Sequence, residues 1–176
     1  ASRLDGVTTS GRIEFSVAMP PPNRLDLTGD FAGFTRGGHS VDGILDVSGA
    51  GGVKAVIESR ALGVSGSGRT LILDMDLVLE KVEGGSPGDP LYCTAWRVPS
   101  GSANVEGFVG SEDISFLFSV ADTLLLSTCC AYPTAGTLLI TASGRIPALV
   151  DFGDGACDDQ ATLTLAGRSQ EITLGD

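Results

Sequence analysis

The chain is poor in cations and in the side chains that most often carry out chemistry. Of 176 residues only 11 are Lys or Arg, against 22 Asp or Glu, and the formal net charge is −11. Lys54 and Lys81 are the only lysines and His39 is the only histidine. A nucleic-acid interface needs a basic stripe to displace counterions, and an anionic membrane surface selects the same feature, so neither partner is expected. No apolar run reaches the ~18 residues of a membrane-spanning helix. The longest candidates, Leu71–Val82 and Ile114–Thr128, are interrupted by Asp74, Asp76, Glu80 and Asp122. No window of a dozen or so residues carries a helical period. There is no metal-ligand set, nucleophile pair or cofactor fingerprint, so the chain reads as non-catalytic and without a cofactor.

Aromatic residues are also scarce, at 6%. Sugar rings stack on Trp and Tyr, and only Trp96, Tyr92 and Tyr132 are available. Trp96 and Tyr92 share a run with Cys93, where packing beside a disulfide is the simpler role.

Glycine is abundant, 25 residues, and 42% of the chain is hydrophobic while 19% is charged. Apolar, Gly-rich chains with few charges suit many strands joined by tight turns. Alternation confirms the period. It runs through Arg12–Val17, Arg24–Thr28, Leu71–Glu80, Ile114–Val120, Ala161–Leu165 and Gln170–Leu174. Period two means strands with one buried and one solvated face. Gly37-Gly38, Gly49–Gly52, Gly66–Gly68 and Ala166–Ser169 supply turn chemistry between the runs. Met19–Asn23 is a short polyproline spacer. Val53–Leu62 is the best helical candidate, yet its β-branched content favours a strand. The expected fold is all-β: an antiparallel sandwich or barrel-like stack of about twelve short strands, stapled by disulfides. It forms a single domain over residues 1–176, with Gly84–Pro90 as the one candidate seam.

Four cysteines are present, Cys93, Cys129, Cys130 and Cys157, with no Cys-x-x-Cys pair. Vicinal ligands and long gaps match a zinc site poorly. An even count favours disulfides and an oxidising compartment. The small first residue, Ala1, fits signal-peptide removal, so an exported chain at the cell surface or in the periplasm is expected. Pairing Cys129 with Cys130 strains the peptide between them. Successive strand residues face opposite sides, so each reaches a different partner. The pairs chosen are Cys93–Cys129 and Cys130–Cys157.

The last third has a distinctive order of motifs. Cys130-Ala131-Tyr132 precedes Gly136-Thr137-Leu138-Leu139-Ile140. Then come Asp151-Phe152-Gly153-Asp154-Gly155-Ala156-Cys157-Asp158, Ala161-Thr162-Leu163-Thr164 and Glu171-Ile172-Thr173-Leu174. This segment resembles the closing part of uncharacterised exported β-rich proteins and lipoproteins of Bacteroidetes-type bacteria. The resemblance implies a cell-envelope location and supports pairing Cys130 with Cys157. It implies no activity. Cys93, Cys129 and the triple proline have no counterpart in that pattern, and neither does the first residue, which in those proteins is often a lipidated Cys.

Asp151, Asp154, Asp158 and Asp159 form an acidic loop, the one weak calcium candidate. Calcium takes six to eight oxygens, but the spacing departs from the loop template with acids at alternate positions, and capping of turns explains the residues as well. His39 lies near Ser40 and Asp42, but residues so close in sequence do not build a catalytic relay. Asp74 and Asp76 share one strand face, which is usually the solvated one.

These features fit a structural or assembly protein of the cell surface with protein partners, such as a pilus-like filament subunit joined by strand exchange. The exchange candidates are Ile13, Phe15 and Val17 in the N-terminal strand, and Ile172 and Leu174 in the C-terminal one. The alternative is an accessory subunit of an envelope complex or a module that binds a glycan or other ligand.

Overall fold

A computed structural model describes residues 2–4, 7–19, 24–50, 54–66, 69–83 and 94–175. The fold is all-β, with no helix among the described residues. Twelve strands follow one another among the described residues: β1 (Ser2–Leu4), β2 (Val7–Ala18), β3 (Arg24–Arg36), β4 (His39–Ala50), β5 (Lys54–Gly66), β6 (Arg69–Glu83), β7 (Ala95–Val109), β8 (Glu112–Ser127), β9 (Ala135–Thr141), β10 (Ala148–Asp154), β11 (Gln160–Leu165) and β12 (Arg168–Thr173). All belong to one sheet whose spatial order is the chain order, and every pairing is antiparallel. Each hairpin therefore closes on its nearest neighbour in sequence, the least entropically costly way to build a sheet. The expected seam lies outside the described residues, and β6 and β7 on either side of it pair from Arg69↔Val109 to Glu83↔Ala95. Both halves share one sheet.

Strands β2 to β8 are not short; they run from 12 to 16 residues. Their length is interrupted by bulges rather than by turns. Gly33 of β3 adopts φ 57 and Ala61 of β5 adopts φ 48, and each marks one extra residue relative to both neighbouring strands. The facing glycines make room. A Cβ on Gly11 would lie 2.0 Å from the Gly33 carbonyl oxygen, and one on Gly43 would lie 2.4 Å from that of Ala61. An aspartate on the next strand caps each bulge: Asp42 accepts from the Gly33 N–H at 2.6 Å, and Asp74 from the Ala61 N–H at 2.7 Å.

Register places the apolar residues on one side. Val17, Leu27, Val47, Ile57 and Leu77 face one another across five strands. Phe118, Ile140 and Ala148 align across β8 to β10 in the next row, which runs through Ala103 of β7 and Met75 of β6. The buried cluster is Val98, Leu124, Val150, Phe152 and Ala161, with Leu77 and Leu79 of β6 and Ile172 of β12 packed against it. In a flat sheet β6 and β12 would stand ~29 Å apart, at about 4.8 Å per strand. Their shared cluster requires the C-terminal half to curl over its own apolar face.

Candidate functional site

Among the described residues β12 is not paired with β1, and the two ends of the described strand order carry the two groups of strand-exchange candidates. At the first edge, β1 pairs with Val7, Thr8 and Thr9 alone. From Ser10 to Ala18 the outer side of β2 has no strand beside it among the described residues. Ile13, Phe15 and Val17 lie opposite Phe31, Gly29 and Leu27 of β3. The Phe15 ring covers Gly29, where a Cβ would stand 3.2 Å from Cε1, and meets Phe31 edge to face at 6.5 Å. Despite these contacts Phe15 is 64% exposed and Val17 59%. On the polar side Arg12 and Glu14 pair at 2.9 Å with both side chains largely in solvent.

At the second edge, β12 pairs with β11 from Arg168↔Leu165 to Thr173↔Gln160. Ile172 stands opposite Ala161 and packs on the buried cluster, as does Leu174. The Leu174 N–H donates to the Asp159 carbonyl at 2.7 Å. The two candidate groups therefore sit at opposite ends of the sheet order, one exposed and one anchored in the core.

Cys130 and Cys157 form a disulfide with Cα atoms 5.5 Å apart. Cys129 is disulfide-bonded as well; Cys93, the partner chosen for it, lies outside the described residues. The divergence of Cys129 and Cys130 does not come from the alternating faces of a strand. Cys129 and Cys130 occupy the turn after β8, not a strand, and the Cys130 N–H donates to Ser127 at 3.0 Å.

The acidic loop is engaged in its own backbone. Asp151 accepts from the Gly153 N–H at 2.9 Å, Asp158 from the Gln160 N–H at 3.0 Å, and Asp159 from the Gln160 side-chain amide at 2.7 Å. Asp154 pairs with Ala135 past a bulge in β10. Among the described residues no three His, Cys, Asp or Glu side chains are grouped to hold a metal ion. His39 opens β4 opposite Arg36, and its ring lies against Gly66. Ser40 is hydrogen-bonded to Ser65, and Asp42 is held by Gly33, so neither serves the imidazole. Trp96 and Tyr132 are half-buried, Trp96 opposite Leu126 and Tyr132 with its hydroxyl over Gly175; Tyr92 lies outside the described residues. Neither described ring stands out as an open stacking platform.

The polar face holds a feature that alternation did not reveal. Asp46, Glu58 and Asp76 are direct neighbours across β4, β5 and β6. Like charges directly opposite are destabilising. Asp46 is compensated: Thr28 donates to it at 2.6 Å and Arg60 pairs with its other oxygen, which holds its carboxyl below the usual carboxylate range. Two rows along, Arg97 donates to Glu80 at 2.8 Å and Lys54 approaches to 3.6 Å, lowering the Glu80 pKa chiefly through the Arg97 hydrogen bond. Sequence distance hides all these pairs, since only register brings them together. No helix in the described residues is long and apolar enough to cross a membrane. In comparisons with known proteins the chain matches no family model, no curated protein and no solved structure.

Proposed function

We propose that this chain is a non-catalytic structural subunit of the cell surface or periplasm that assembles through its sheet edges. The observation that carries this reading is the meander order of the described strands, with a backbone edge at each end of that order. An unpaired strand offers a row of N–H and C=O groups to any incoming strand. Natural proteins usually blunt such edges, whereas β2 presents Phe15 and Val17 largely uncovered. Because β2 is already paired with β3 along Thr9–Ala18, edge addition requires no rearrangement, while strand exchange requires β2 first to leave β3. Two separate edges on one subunit allow growth into a filament. The disulfide supports an oxidising compartment.

Electron microscopy of the non-reduced protein, with sedimentation over a concentration series, tests the reading. Fibres or concentration-dependent oligomers are expected. A single species of 17.9 kDa at every concentration overturns it.

A further inference from the structure

We propose that the apolar face of β3 to β6 binds, at its hairpin end, a single-chain anionic amphiphile: a long-chain carboxylate whose acyl chain lies along the sheet. The inference is independent of the assembly reading, since each of these strands is paired on both sides. Arg36 stands opposite His39, and Gly66 opposite Arg69. Ser40 opposite Ser65 sets His39 and Gly66 in the same row. The His39 ring leans into the room that Gly66 leaves, for a Cβ there would stand 2.2 Å from Nδ1. The imidazole is thereby flanked by Arg36 on one side and Arg69 on the other, and all three side chains are exposed. On the opposite face the Ser40 and Ser65 hydroxyls share a hydrogen bond of 2.5 Å, which clamps the two strands under the ring. Arg12, Arg24, Arg60 and Arg97 each pair with a carboxylate, whereas among the described residues neither Arg36 nor Arg69 does. Glu112 lies in the same row two strands beyond Arg69, and Asp42 is held by Gly33 on the opposite face.

The next row inward on the same face is apolar. Phe34, Val41, Val64 and Leu71 stand opposite one another, each two residues from the cationic row. Among the described residues no apolar side chain of β2 to β6 is buried, and Val64 is 38% exposed. The curled C-terminal half packs instead on Leu77 and Leu79. These begin ~20 Å further along β6, at about 3.3 Å per residue. A cationic row beside an open apolar row selects a ligand with an anionic head and an apolar tail. Guanidinium groups offer paired N–H donors to a carboxylate, and the apolar row removes an acyl chain from water. The net charge of −11 repels an anionic bilayer over the whole molecule. A single headgroup meets chiefly the cations within a Debye length, about 8–10 Å. The occupant is therefore a free amphiphile rather than a membrane.

Calorimetric titration of the full chain with laurate, below its micelle concentration, tests the site. Saturable one-to-one binding is expected, with acetate and the uncharged dodecyl maltoside each about tenfold or more weaker. The double variant Arg36→Ala, Arg69→Ala is expected to weaken laurate binding about tenfold or more, and Val64→Ser severalfold. All three positions are exposed, and unchanged urea midpoints confirm intact folding. Acetate binding as well as laurate reduces the row to an adventitious anion site, and dodecyl maltoside binding as well as laurate reduces the face to unspecific apolar adsorption. Sedimentation with phosphatidylglycerol vesicles in the absence of laurate binding assigns the surface to a membrane. Each of these outcomes overturns the proposal, as does laurate binding that the variants leave unchanged. If laurate does not bind at all, the proposal falls and the assembly reading stands.

Discussion

Individual residues set how far the strands can extend. Ala61 is a non-glycine residue at φ 48, in the region that costs an L-residue about 1–2 kcal/mol. Gly33 fills the equivalent place on β3 at φ 57 without that cost. Ala61→Gly is therefore expected to stabilise the protein by about 0.5–1 kcal/mol, after subtracting the greater freedom of glycine in the unfolded chain. Comparison of urea midpoints checks this, and a loss of stability would contradict the bulge assignment. The Gly33 conformation was not legible in Phe31-Ala32-Gly33-Phe34, because a glycine between apolar residues reads equally as a break or as a bulge. What distinguishes them is the carbonyl contact from Gly11, twenty-two positions away.

At the scale of the strand, alternation was sufficient to place polar and apolar residues on opposite faces. It was not sufficient to say which polar residues meet. The row Asp46, Glu58 and Asp76 exists because two hairpins and the bulge at Ala61 fix the register. Glu58 stands in its middle with a carboxylate on either side. Glu58→Lys replaces two repulsions by two attractions and turns the attraction to Arg60 into a repulsion, so it is expected to raise stability by roughly 0.5 kcal/mol, read as an increase in melting temperature at low salt that shrinks in high salt. No increase would mean that the side chains avoid one another in solution. The turns were easier to read: Gly37-Gly38 and Ala166-Gly167 join β3 to β4 and β11 to β12 with positive φ at both residues, the geometry of two-residue hairpins.

For the whole molecule, acid is expected to weaken the fold through its paired carboxylates. Asp46 and Glu80 have folded-state pKa values lowered by their hydrogen-bonding partners. The unfolded chain therefore takes up protons first as pH falls. The stabilisation is complete above the ordinary carboxylate range, roughly pH 5, and is lost as pH drops through the lowered folded values. Asp46→Asn should be less stable than the unaltered chain at pH 7 and should converge with it once the pH has fallen below the lowered folded-state value, measured by urea denaturation. A gap independent of pH would assign the effect to lost packing. Burial in the whole molecule is uneven. Val98, Leu124, Val150, Phe152 and Ala161 are enclosed by the curled C-terminal half, while the β2 end keeps Phe15 and Val17 in solvent.

The sequence by itself determined the all-β class, the number of strands to within one or two, and the faces of those strands. These follow from period-two alternation, which is a local property of the chain. The choice of Cys130–Cys157 also held, for both cysteines lie in short loops beside consecutive hairpins. Only the tertiary structure decided the order of strands, the alignment of bulges, the carboxylate row and the placement of Ile13 and Ile172 at opposite ends of one sheet. Each depends on register, and register is fixed by contacts between residues far apart in sequence.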